Sequence, residues 1–70
     1  MKREKLKARR LSLGLTQQRV ADEAEITRNY YTDVENGNRN CNLKTWLKIG
    51  TVLNIPEDQL ISYMKEGIEG

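Results

Sequence analysis

The chain has 70 residues, 37% of them hydrophobic and 31% charged, with twelve Lys or Arg against ten Asp or Glu and no histidine. That composition suits one small globular domain and excludes both a second domain and a disordered polar chain. No apolar stretch approaches the roughly 20 residues needed to cross a bilayer, Met1-Lys2-Arg3 leads into a charged helix rather than a signal peptide's apolar segment, and one cysteine without histidine makes a metal site improbable, so a cytoplasmic protein with neither metal nor cofactor is expected.

A first helix is predicted from about Arg3 to Leu13, with Leu6, Arg10 and Leu13 on one face. Gly14 ends it as a C′ residue able to turn left-handed. Thr16 is a good N-cap for a helix starting at Gln17, and Thr27 for one starting at Arg28. Val20, Ala21 and Ala24 make the inward stripe of the second helix, Tyr31 and Val34 that of the third, and Ile26 falls in the turn. Ala21 matters by its size, because steeply crossing helices need a small side chain at closest approach. A polar turn follows Gly37 and leads to Asn42, an N-cap for a helix from Leu43 to about Leu53. Its inward stripe is predicted as Leu43, Trp46, Leu47, Gly50 and Leu53. Pro56 fits the start of a last helix, where Glu57 and Asp58 complement the dipole and Leu60, Ile61, Tyr63 and Met64 follow. The sum is five helices and no strand in one domain over 1–70, with a core at about 3–65 and a tail, 66–70, expected to fray.

The second and third helices are joined by a turn too tight for them to lie antiparallel, so the third projects from the domain, where the major groove of DNA could receive it. Charge agrees: residues 1–39 carry a net +3 and residues 40–70 a net −1, which puts the basic half where the helix pair lies. An enzyme has little to stand on, with no histidine, no clustered nucleophile and base, and no Gly-rich phosphate loop. RNA binding is disfavoured by an aromatic content of 6% and the lack of a sheet platform.

Arg10 in the first helix, Gly14-Leu15-Thr16-Gln17 opening the second, Ala21, Ile26-Thr27-Arg28 opening the third, Glu35-Asn36-Gly37 closing it, and Leu43 to Leu60 form an ordered set. Through them the chain, from about Leu6 to Ile61, resembles the phage-repressor and Cro-like helix-turn-helix domains of phage and bacterial transcriptional regulators. The resemblance implies an all-α, five-helix fold of the lambda-repressor type. It implies that Arg28, Asn29 and Asp33 face base edges: Arg can grip guanine O6 and N7, Asn can pair with adenine N6 and N7, and a carboxylate can accept from cytosine N4 or exclude sequences that leave it unpaired. Gln17, Gln18, Thr27, Tyr30, Asn36, Asn38, Arg39 and Asn40 would meet phosphates or sugars, positioning the domain without reading sequence. Arg10 and Glu35 would form a mostly buried ion pair that fixes the angle of the reading helix.

Four positions depart from the family pattern. Glu25 stands in the turn where Gly is usual, Cys41 stands in place of the usual Pro ahead of the fourth helix, Arg9 sits where many members of the family have an apolar residue, and Tyr31 where most have Ile or Val. The function implied is sequence-specific regulation of transcription, as a repressor, with double-stranded DNA as partner. One reading helix covers too few base pairs to single out a site, so a homodimer on a palindrome is expected, its half-sites about 34 Å apart. Ile61 and Met64, with Tyr63, are the candidate dimer contacts unless they only close the core. The alternative is a protein-interaction module that holds a partner, such as a toxin, and leaves the third helix off DNA.

Overall fold

The computed structural model describes residues 2–65. They form five helices, α1 (Glu4–Ser12), α2 (Gln17–Glu23), α3 (Arg28–Glu35), α4 (Leu43–Val52) and α5 (Glu57–Lys65), with no strand among the described residues. The frayed tail expected at 66–70 lies outside them.

Local chemistry sets the helix boundaries. The Thr16 hydroxyl accepts the Arg19 amide at 3.0 Å, the Thr27 hydroxyl accepts the Tyr30 amide at 3.1 Å, and the Asn42 side-chain oxygen accepts the Thr45 amide at 2.9 Å. A cap of this kind contributes about 1 kcal/mol. At their other ends α1 to α4 stop alike, with Gly14, Glu25, Gly37 and Asn54 at φ of 70°, 63°, 78° and 55°. In α1 the Gly14 amide donates to the Leu11 carbonyl at 3.0 Å and the Leu15 amide to Arg10 at 3.2 Å, and the same two-bond pattern recurs after α2, α3 and α4. These are Schellman closures, in which a left-handed residue lets two amides satisfy the last carbonyls. Glu25 is the costly member, because a Cβ in this conformation opposes the turn by roughly 1 kcal/mol. The turn before α3 nevertheless keeps its tight geometry.

One core joins the helices: Leu6 from α1, Val20 and Ala21 from α2, Tyr31 and Val34 from α3, Trp46 and Ile49 from α4, and Leu60 and Tyr63 from α5. Tyr31 thus fills a core position that the family gives to an aliphatic residue, and Trp46 is wholly enclosed.

Three leucines expected inside are not there. Leu13 is 37% exposed, since α1 ends at Ser12 and the C-cap no longer follows the helical face. Leu43 and Leu47 are 61% and 39% exposed. The inward arc of α4 runs instead through Trp46, Ile49 and Gly50; at about 100° per residue Leu47 falls beyond its edge on the side away from Ile49, while Leu43 sits in the opening turn. Gly50 stays inside because a Cβ there would lie 3.2 Å from Leu60 Cδ1. On α5 Leu60 and Tyr63 close the core, whereas Ile61 is 56% exposed.

Candidate nucleic-acid interface

Helix α3 is held from behind. Arg10 Nε donates to Glu35 Oε2 at 3.0 Å and Arg10 Nη2 to Glu35 Oε1 at 3.0 Å, a two-pronged bond between buried side chains. The third arm, Nη1, donates to the Leu15 carbonyl at 2.8 Å. The bond to Glu35 raises the Arg10 pKa further above its already high usual value. Burial, reinforced by Glu35, likewise pushes the Tyr31 phenol upward, so it stays neutral. One guanidinium therefore ties α1, the turn before α2 and the end of α3 together, which fixes α3 without using its outer face.

That outer face is open. Thr27, Arg28 and Asn29 are exposed, and among the described residues the side chains of Arg28 and Asn29 have no hydrogen-bond or ion-pair partner. Arg28 lines a shallow groove with Leu11, Thr16, Gln17 and Gln18. Gln17 is half-buried, and its Oε1 accepts from the Thr32 hydroxyl at 3.1 Å. Because the oxygen is turned to α3, the amide donors are left for another acceptor. Gln18 differs, as its Nε2 donates at 2.8 Å to Asp22 one turn along.

Further along, Asp33, Tyr30 and Arg39 meet. The Arg39 guanidinium lies 5.2 Å from the Tyr30 ring centroid, and its Nε is 3.8 Å from Asp33 Oδ2. The carboxylate expected to face bases is thus partly neutralised from within the chain. Asn36 caps α3, and the Asn38 amide is used by the closure on Asp33, while its side chain is exposed. Asn40 turns its oxygen inward, accepting from Trp46 Nε1 and from the Cys41 amide, both at 3.1 Å. Burial pushes the Cys41 thiol up to about 11, so it is not a thiolate at neutral pH.

Two arginines were missed as structural ties. Arg9 reaches the end of α4, its Nε donating to the Leu53 carbonyl at 2.8 Å and its Nη2 to the Asn54 carbonyl at 2.9 Å, which gives this cation a structural role. Arg3 is fully buried. Its signal was available, for positions 3, 6 and 10 share one helical face. No group of three or more potential ligand residues that could hold a metal occurs among the described residues, and no helix there is long and apolar enough to cross a membrane.

Comparison with known proteins settles what this architecture is. A helix-turn-helix family model matches residues 6–60. The chain belongs to the Cro/C1-type helix-turn-helix family. Among its relatives in Bacillus subtilis (strain 168), the HTH-type transcriptional regulator YqaF is 47% identical over 53 residues, covering 76% of this chain and 70% of the relative. The SPbeta prophage-derived regulator YonR is 41% identical over 58 residues, covering 83% of this chain and 54% of its own length. YqaE is similar at 41% over 58 residues, and there too this chain spans about half of the relative. Within the matched stretch α2 and α3 form the helix-turn-helix, and Arg28 stands on the outer face of its second helix.

Proposed function

We propose that this helix-turn-helix domain is a cytoplasmic repressor that binds a palindromic DNA site as a homodimer, with no catalytic activity. In this reading Arg28, Asn29 and Asp33 contact base edges in the major groove. Gln17, Gln18, Thr27, Tyr30, Asn36, Asn38, Arg39 and Asn40 meet phosphates and sugars on either side. The observation that carries it is the contrast within α3: a back face locked by Arg10 and Glu35 and a front whose Arg28 and Asn29 donors have no partner in the described chain. Ile61 and Met64 are the proposed dimer contact, supported by the exposure of Ile61 on the outer side of α5.

Selection of bound sites from a pool of random duplexes tests this. The expected result is an enriched palindrome with half-sites one helical turn, about 34 Å, apart, and loss of base preference at one position per half-site in Arg28→Ala. Recovery of no motif at low salt would overturn it and favour a domain that binds another protein.

A further inference from the structure

Arg3 stands ahead of α1, outside every position assigned to DNA, yet it is fully buried beneath the loop that follows α3. Its backbone amide donates to the Glu35 carbonyl at 2.8 Å. Its guanidinium donates through Nη1 to the Val34 carbonyl and, at 3.1 Å, to the Arg39 carbonyl. Through Nη2 it donates to Asn40 Oδ1 at 3.3 Å. The same guanidinium lies 5.1 Å from the ring centroid of Trp46, whose indole N–H shares the Asn40 oxygen. One buried cation thus spans the Val34 carbonyl of α3, the carbonyl of Arg39 and the side chain of Asn40.

Building on the DNA-binding reading above, we propose that Arg3 is a positioning residue for DNA-backbone contact: it holds the 36–40 loop so that Arg39 projects beside Tyr30 and Asp33. The link is geometric. The bond to the Arg39 carbonyl fixes the backbone from which that side chain leaves, and the bond to Asn40 fixes the next residue. The planar fork is needed, because an ammonium cannot reach three separated oxygens and stack on an indole at once. Arg3 itself, enclosed in the fold, touches no phosphate.

The test uses the full chain and a random-sequence duplex of about 30 base pairs, since phosphate contacts are sequence-independent and appear in the salt dependence of binding. Four proteins are compared: wild type, R39A, R3K and R3K/R39A. Removing one phosphate contact lowers the slope of log K against log salt by about one. The expected result is that R39A and R3K each lose that amount and that the double variant loses no more than either. The emission of Trp46, the only tryptophan, should shift in R3K and not in R39A. A purely structural Arg3 would lower thermal stability and leave the slope at the wild-type value, and that result overturns the proposal, as does a slope loss that adds in the double variant. An unchanged slope in R39A overturns the phosphate reading of Arg39 and the positioning role with it. If R3K does not fold, R3Q, which buries no unpaired charge, takes its place in the same cycle.

Discussion

The two faces of α3 differ in what they have done with their polar groups. On the back, Glu35 is fully engaged with Arg10, and Tyr31 and Val34 are enclosed. On the front, Arg28 and Asn29 stand exposed with their donors unused by the described chain. A helix eight residues long is too short to be stable alone, so the back face must supply its rigidity. The lesson is a division of labour across one helix: substitutions behind should change whether it is presented, and substitutions in front should change what it recognises.

The hardest way to break that division is to remove Glu35. Glu35→Ala leaves the Arg10 guanidinium buried beside two lost acceptors, and stranding one partner of a buried pair costs about 3–5 kcal/mol. A domain of this size has about 4–10 kcal/mol in all, so the variant should lose roughly a third of its stability or more, read as a lowered urea midpoint by circular dichroism. Replacing both partners with apolar residues, Arg10→Met with Glu35→Leu, should recover most of the urea midpoint, since the desolvation of both charges is then avoided. Full stability in Glu35→Ala alone would show that the pair does not hold the helix.

On the other face Arg28→Ala should behave in the opposite way. Binding to the selected site should weaken by about 1–3 kcal/mol, with base preference relaxed at one position. The unfolding midpoint should stay within about 0.5 kcal/mol of wild type, as for exposed substitutions in general. A loss of stability comparable to the loss of binding would mean that Arg28 supports the fold and that the two faces are not separable.

Much of this arrangement could be read from residues alone, for reasons that differ by position. Thr16, Thr27, Asn42 and Gly14 act on amides within a few residues of themselves, so their roles follow from local spacing. Arg10 and Glu35 stood out because a charge interrupts an inward stripe, and the family resemblance supplied the pairing. Long-range partners were less visible. Arg3 bonds to carbonyls 31 and 36 residues away, and backbone acceptors leave no mark in a sequence. Leu43 and Leu47 misled because apolar residues flank an inward arc as readily as they fill it, and only the packing of Trp46 and Ile49 chooses between the two sides. Arg39 beside Asp33 was equally hidden, since the turn that brings them together is made by main-chain bonds to Val34 and Asp33.

A subtler probe of the back face works through the backbone. Gly14 closes α1 and places Leu15, whose carbonyl takes the third arm of Arg10. At φ +70° with nothing within 4 Å of an added Cβ, Gly14→Ala introduces conformational strain without a clash. The expected loss is about 1 kcal/mol in urea unfolding, with the salt dependence of DNA binding unchanged. Loss of several kcal/mol would imply that the turn opens and takes the Arg10 bond with it.

The smallest effect belongs to the turn between the two DNA-binding helices, where Lys48 Nζ donates to Glu25 Oε1 at 2.7 Å. That hydrogen bond holds the Glu25 carboxyl below its usual range. A pKa lower in the folded than in the unfolded chain gives a contribution that is present above the ordinary carboxylate range and is lost as pH falls through the depressed value. Both partners are solvated, so the contribution is weak and salt-sensitive. Lys48→Met should return the Glu25 titration, followed by NMR, toward the usual carboxylate value and flatten the acid limb of stability slightly, while binding at neutral pH stays as in wild type. An unmoved Glu25 titration would assign the shift to the left-handed turn itself, and a marked loss of DNA affinity would show that this outer tie, and not only Arg10 and Glu35 behind, sets the angle at which α3 leaves the domain.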